Sequence, residues 1–183
     1  AAGYCLYISS DNRLIDTSRG DAVPPESERI PPMPDEDVAT LRNVTRDEMM
    51  SRIVTSDARD FNPAFIDQTL PKGGAQIAPV IGFGMTQNRD HAAPITNPHG
   101  FSAEWLRIAP GQTVGPFLLD EKMVVMMHDG QMRLEYTDGG GASVDVDAWD
   151  TYSVPGGVFR KLTSIGDKPV EALVVLSGDH RKR

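Results

Sequence analysis

The sequence predicts an all-β protein whose C-terminal part is a closed barrel or sandwich, preceded by an N-terminal arm with one or two short helices. After residue 100, about eight short β-prone runs follow one another, each ended by a turn rich in Gly, Pro or Asp. One of these runs, Gln131–Tyr136, alternates apolar and polar residues, which is the period of a half-buried strand. No helical period interrupts them, so we expect no helix in this part of the chain.

The N-terminal part divides into two predicted segments. Residues 1–20 begin with the β-prone run Tyr4–Ile8, and an isolated strand must pair with something. We expect it to be an edge strand of this barrel or the end of a preceding barrel. Residues 21–100 start with a Pro-rich, acidic linker and continue as an arm that wraps the barrel.

The wrapping arm carries the helix signals. A weak one covers Asp35–Leu41, and Thr45 with Glu48 forms a capping-box pattern at the start of a second helix. Farther along, Gln76–Ile81 is apolar enough to form a strand.

The barrel itself is expected at residues 101–178, followed by a short basic tail at 179–183. Turn signals such as Pro110-Gly111 and Asp129-Gly130 separate its strands. The predicted strands are Phe101–Ala109, Thr113–Leu119, Lys122–His128, Gln131–Tyr136, Ala142–Val146, Thr151–Val154, Val158–Ile165 and Val170–Leu176.

Composition excludes some classes of partner. A net charge of −8 opposes binding to nucleic acid, which requires clustered Lys and Arg. The sequence has no apolar run of membrane-spanning length, so no membrane partner is expected. Cys5 is the single cysteine, which excludes an internal disulfide and favours the reducing cytoplasm.

The spacing of the turn residues resembles a known family. Gly111 is followed after five residues by Phe117, and then by Leu119, Met123 and Gly130. These intervals match the first motif of the cupin superfamily. In that motif two His and one Glu occupy the positions held here by Phe117, Leu119 and Met123.

The second cupin motif is matched in the same partial way. Pro155 and Gly157 stand where that motif has Pro and Gly, while Trp149 takes the place of its first Gly. Arg160 stands for the metal-binding His, and Ser164 for Asn. The turn residues therefore match, and the metal ligands do not.

The resemblance covers about residues 101–178 and implies a cupin-type double-stranded β-helix (jelly-roll) barrel. Divalent metals prefer imidazole and carboxylate ligands. Phe117 and Leu119 offer no lone pair, the Met123 thioether is a poor ligand, and the Arg160 cation would repel a metal. We therefore expect no metal and no other cofactor in this barrel.

Ligand positions face the lumen in the parent barrel, so their replacements are expected to do the same. An apolar lumen with Arg160 as its polar member allows two interpretations. The lumen is filled and Asp120, Glu121 or Asp150 neutralises Arg160, or a pocket remains in which Arg160 binds a carboxylate or phenolate. The candidate ligand-binding residues are Phe117, Leu119, Met123, Tyr152 and Arg160.

A weak internal repeat bears on the function. Residues 5–12 parallel residues 173–180 position by position, as the ends of two successive barrels would. The chain would then be the C-terminal half of a bicupin, with a transition metal in a missing upstream barrel.

Two functions remain open. The first is a metal-free barrel of a bicupin-like enzyme, of the dioxygenase kind, acting on aromatic or organic-acid substrates through another domain or chain. The alternative is a non-catalytic cupin that binds a small molecule through Arg160 or serves in oligomerisation. The resemblance also implies a homodimer or another homo-oligomer.

Overall fold

The structure is a computed structural model that describes residues 43–65, 74–86, 88, 90–96, 99–137 and 141–178. The chain divides into two compact units, Ala1–Ser51 and Arg52–Arg183. Three predictions fall outside the described residues. They are the strand within residues 1–20, the helix at Asp35–Leu41 and the basic tail.

Helix α1, Arg46–Met50, is the described element of the first unit. Thr45 caps it, because its hydroxyl accepts a hydrogen bond of 3.2 Å from the Glu48 backbone N–H. Asp47 and Glu48 place negative charge in the first turn, where the helix dipole favours it. The helix start predicted from the capping pattern is therefore confirmed. Among the described helices, none is long and apolar enough to cross a membrane.

The second unit is built from antiparallel strands in two sheets. A 3₁₀ helix at Ser56–Ala58 precedes them. The strands are β1 (Asn62–Pro63), β2 (Ala75–Ile81), β3 (Phe101–Ile108), β4 (Thr113–Phe117), β5 (Met123–Asp129), β6 (Met132–Glu135), β7 (Ser143–Val146), β8 (Thr151–Val154), β9 (Arg160–Ser164) and β10 (Val170–Ser177). The larger sheet has the order β1-β2-β3-β10-β5-β8, and the smaller one β4-β9-β6-β7.

The strands predicted between residues 101 and 178 are present with small changes at their ends. β4 stops at Phe117, two residues before its predicted end, and its register shifts between Val114 and Phe117. β9 begins at Arg160, because Val158 and Phe159 belong to the turn that precedes it.

The larger sheet reaches beyond the segment predicted as the barrel. β2, which the sequence placed in the wrapping arm, pairs with β3 along most of its length. β1 then pairs with β2 through Asn62 and Pro63. The arm at 21–100 thus supplies two strands to the sheet.

Alternation along the strands separates an inner face from an outer face. In β5 the buried residues are Met123, Val125 and Met127. In β10 every second residue from Val170 to Leu176 is buried in the same way. These inner faces meet in one apolar core that lies between the two sheets.

Two turns show why the motif spacing is kept. Gly130 has φ +81°, and a Cβ there would lie 2.7 Å from the carbonyl oxygen of Pro169, so only glycine fits. Trp149 has φ +75°, which is rare for a residue with a side chain. It is the residue at the position where the second motif has its first Gly, and the backbone has kept the conformation that glycine adopts.

Candidate functional site

Arg160, the first residue of β9, lies inside the barrel with only 1% of its surface exposed. Leu119 and Met123 are also buried in the core. Phe117 and Tyr152 are partly buried and pack against that core. Each of the five predicted residues therefore contributes to the core region of the barrel.

Backbone carbonyl groups hold the Arg160 guanidinium. Its Nε donates to the Val158 carbonyl oxygen at 3.1 Å, and its Nη2 donates to the same oxygen at 3.0 Å. Nη2 also donates to Pro155 at 3.1 Å and, through a longer contact of 3.5 Å, to Leu119. These acceptors belong to the β8–β9 turn and to the segment after β4. The Arg160 side chain thus links the β8–β9 turn to the segment after β4.

Two side chains shape the electrostatics around Arg160. Burial lowers the pKa of Arg160, while the nearby Tyr152 and Glu121 act in the opposite direction. Glu121 is itself buried. It is therefore the acid, among the three that the sequence proposed, whose charge favours the guanidinium. The Phe117 ring lies 5.8 Å from the guanidinium carbon and adds a cation–π contact.

Two buried hydrogen-bond donors in this region have no hydrogen-bond partner. They are Nη1 of Arg160 and the hydroxyl oxygen of Tyr152, and both are buried. Burial raises the pKa of Tyr152, and the Arg160 charge opposes that rise only in part. Tyr152 is therefore a neutral phenol at physiological pH. An unsatisfied buried donor costs about 1–3 kcal/mol, so two of them in one place need an explanation.

The sequence did not identify a buried acid on β3. Glu104 is fully buried, and its carboxylate accepts from the Met85 backbone N–H at 3.0 and 3.3 Å. Gly84 lies against the Glu104 carboxylate, since a Cβ at residue 84 would be 1.8 Å from Oε2 of Glu104. Ser102 is also buried on the inner face of β3, and its hydroxyl has no hydrogen-bond partner. Arg160 is therefore not the only polar side chain that points inward.

The alternation of residues along β3 contains a signal that could have placed Ser102 and Glu104 on the inner face. In the run from Phe101 to Ile108, Ser102 and Glu104 have the same parity as the apolar Leu106 and Ile108. A shared parity places all four on one face of a strand. The apolar members mark that face as the inner one.

The residues at the cupin metal positions do not fit a divalent metal ion. Phe117, Leu119 and Met123 provide no nitrogen or oxygen ligand, and the guanidinium of Arg160 holds a positive charge where the last ligand would be. Within the part of the chain that the structure describes, no group of three or more His, Cys, Asp and Glu side chains is arranged to hold a metal.

Solved structures share this architecture at low sequence identity. A cupin-2 domain from Rhodospirillum rubrum matches with a TM-score of 0.52 and 14% identity, over 72% of this chain and 78% of that chain. The polyketide cyclase RemF from Streptomyces resistomycificus matches with a TM-score of 0.50 and 14% identity, over 68% of this chain and 78% of that one. The fold of this chain is therefore the cupin jelly-roll barrel, as predicted.

An oxalate oxidase in complex with glycolate is also similar, with a TM-score of 0.49 and 20% identity. The match covers 60% of this chain, which spans about half of that enzyme, 54% of its length. No protein-family profile matches the sequence, and no curated protein sequence matches it.

Proposed function

We propose that this chain is a cupin-fold module that binds a small carboxylate inside its barrel, through Arg160 and Tyr152, without a metal ion. One observation supports it above the others. Nη1 of Arg160 and the hydroxyl of Tyr152 are buried, lack hydrogen-bond partners and lie close enough that the guanidinium affects the pKa of the phenol. A carboxylate oxygen would accept a hydrogen bond from each.

The surroundings favour a carboxylate with an apolar or aromatic body. Guanidinium and carboxylate form charge-assisted hydrogen bonds, which are stronger than neutral ones. Leu119 and Met123 are buried in the core cluster of the barrel, and they would contact the apolar part of the ligand. Ligand pockets usually combine such apolar walls with a few polar groups.

Entry requires a local movement, because neither unpartnered atom has accessible surface. Phe117 is partly exposed and lies over the guanidinium at 5.8 Å. We expect its ring to swing away when a ligand binds. Phe65, whose ring centroid is 5.7 Å from that of Phe117, would have to adjust with it.

Ligand-dependent thermal unfolding tests the proposal, with acetate, oxalate and benzoate as probes. A bound carboxylate stabilises the folded state by about 2.7 kcal/mol at a hundredfold excess over Kd. For a chain of this size that shift is about 5–10 °C in Tm. Benzyl alcohol, which keeps the ring of benzoate and lacks its charge, is the control. If none of the three carboxylates raises Tm, the proposal is wrong.

A second candidate is the metal-free barrel of a bicupin-like enzyme, of the dioxygenase kind, with the metal on another barrel. The repeat between residues 5–12 and 173–180 favours it, since the second copy includes most of β10. The genomic reading frame around Ala1 tests this directly. An upstream barrel with the His and Glu ligands supports it, and an initiator Met near Ala1 refutes it.

Composition supports two further parts of the proposal. The single cysteine favours a cytoplasmic location. The net charge of −8 favours a small-molecule ligand over nucleic acid.

A further inference from the structure

The inner face of the larger sheet has polar side chains at both of its sides. One row of paired residues crosses the strands from β3 through β10 and β5 to β8: Glu104, Val174, Val125 and Tyr152. The first three are fully buried, and Tyr152 packs against the core, so this row faces the lumen. It carries a polar residue at each end and valines between them.

A second inward row lies beside the first, at the end of the barrel that holds Arg160. Its members are all buried: Ser102, Leu176, Met123 and Val154. Met123 begins β5, and one short connection joins it to Phe117 at the end of β4. Phe117 pairs with Arg160 across the smaller sheet. The second row and Arg160 therefore surround the same end of the lumen.

Ser102 brings an unused hydrogen-bonding group to this end of the barrel. Only 1% of its surface is exposed, and its hydroxyl has no hydrogen-bond partner. Gly82 packs closely against it, since a Cβ at residue 82 would lie 3.3 Å from the Ser102 Cβ. A buried hydroxyl without a partner destabilises the fold, and it can both donate and accept a hydrogen bond. Ser102 therefore suits a ligand group that can do the same.

Ser102 and Tyr152 lie on opposite sides of the lumen, and their separation limits the length of a ligand. Three strand spacings of about 4.8 Å, or about 14 Å, separate β3 from β8. Side chains stand roughly perpendicular to a sheet, so their tips keep much of this spacing. Hydrogen bonds of about 2.8 Å at each end leave about 8 Å between the two polar groups of the ligand. A single ring with polar groups at opposite positions has about this length.

Glu104 determines which polar group suits the Ser102 end. It lies two residues after Ser102 on the same inner face, and the Met85 backbone N–H holds its carboxylate. A second carboxylate on the ligand would be repelled by this charge. An ammonium group would be attracted, but it loses far more hydration on burial than a hydroxyl does. A hydroxyl is therefore the group that fits this end best.

We propose that Ser102 is a specificity-determining residue, which makes the site prefer carboxylates that carry a hydroxyl group at the far end of an apolar body. This preference rests on the proposed function, in which Arg160 and Tyr152 hold the carboxylate. The Ser102 hydroxyl then hydrogen-bonds the ligand hydroxyl, and the valines of the first row contact the apolar body between them.

Calorimetric titration of the full chain with three probes tests this preference. They are benzoate, para-hydroxybenzoate, whose hydroxyl lies opposite the carboxylate, and ortho-hydroxybenzoate, whose hydroxyl lies beside it. One added hydrogen bond corresponds to about a fivefold lower Kd. We expect this gain over benzoate for the para compound and not for the ortho compound. Ser102→Ala should reduce the gain to less than about twofold and leave the Kd of benzoate unchanged.

Ser153→Ala is the matched control, because Ser153 is an exposed serine of β8, and it should keep the full gain. A wild-type chain that binds benzoate without any gain from the para hydroxyl overturns the role of Ser102 alone. An equal gain from the ortho hydroxyl, or a gain that survives in Ser102→Ala, overturns it too. A wild-type chain that binds none of the three compounds overturns the proposed function as well.

Discussion

The hydroxyl of Tyr152 offers the sharpest test of the site. Tyr152→Phe removes one buried oxygen that has no hydrogen-bond partner and keeps the ring that packs against the core. Since a buried unsatisfied hydroxyl costs about 1–3 kcal/mol, we expect the ligand-free variant to be more stable than wild type by about 1 kcal/mol. In a chain of this length that gain raises Tm by about 2–4 °C.

The same substitution should weaken ligand binding. If the hydroxyl donates to a bound carboxylate, its loss costs about 1–1.5 kcal/mol, or roughly tenfold in Kd. Stability and affinity would therefore move in opposite directions, which a simple packing defect would not produce. Urea unfolding followed by circular dichroism gives the first quantity, and calorimetric titration with benzoate gives the second.

Tyr136→Phe is the control for both measurements, because Tyr136 directly follows β6 and has 42% of its surface exposed. It should change neither quantity appreciably. If Tyr152→Phe lowers the free energy of unfolding by more than about 1 kcal/mol, the hydroxyl has a stabilising partner in the protein and the reasoning fails.

Three further predictions follow from neighbouring contacts. Above pH 10 Tyr152 loses its proton in the unfolded state and keeps it in the folded state, because burial raises its pKa there. The free energy of unfolding therefore falls by about 1.4 kcal/mol per pH unit as the pH rises. Urea unfolding at alkaline pH should show a shallower fall for Tyr152→Phe than for wild type. Equal slopes would contradict this assignment. Arg160→Met should destabilise the chain by about 3 kcal/mol in urea unfolding, because the carbonyls of Pro155 and Val158 lose their donor. The control Arg133→Met, at an exposed arginine, should leave the urea midpoint nearly unchanged. Equal effects of the two substitutions would show that the Arg160 hydrogen bonds do not stabilise the barrel. Gly84→Ala should lower the free energy of unfolding by about 1–3 kcal/mol, because its Cβ would collide with the buried Glu104 carboxylate. The control is Gly141→Ala, whose Cβ would have its nearest neighbour 4.0 Å away, and it should change that free energy by no more than about 0.5 kcal/mol. A neutral Gly84→Ala would show that the Glu104 side chain can move.

The strands of the barrel were predictable because turn residues and alternation are local signals. β3 and β10 illustrate this, since their predicted bounds differ from the observed ones by one residue. β1 was missed for a physical reason: Asn62–Pro63 is two residues long, and its proline lacks a backbone N–H. Such a strand exists only because β2 offers it a partner, and pairing between distant segments leaves no local pattern.

The site was predictable only in part. The cupin resemblance placed Arg160 inside the barrel, because it occupies a motif position that faces the lumen in that family. Its hydrogen-bond acceptors are backbone carbonyls of Leu119, Pro155 and Val158, whose directions depend on backbone angles and not on residue type. The absence of a partner for Nη1 is likewise a property of the folded arrangement. No sequence pattern records either fact.

The carbonyl contacts of Arg160 also bear on how cells can make this protein. A barrel whose connections are joined by a bound ion depends on the supply of that ion during folding. Here the β8–β9 turn and the segment after β4 are joined by a side chain that is synthesised with the chain. We therefore expect the same yield of folded protein from iron-starved and iron-replete cultures, with chelators leaving its unfolding curve unchanged.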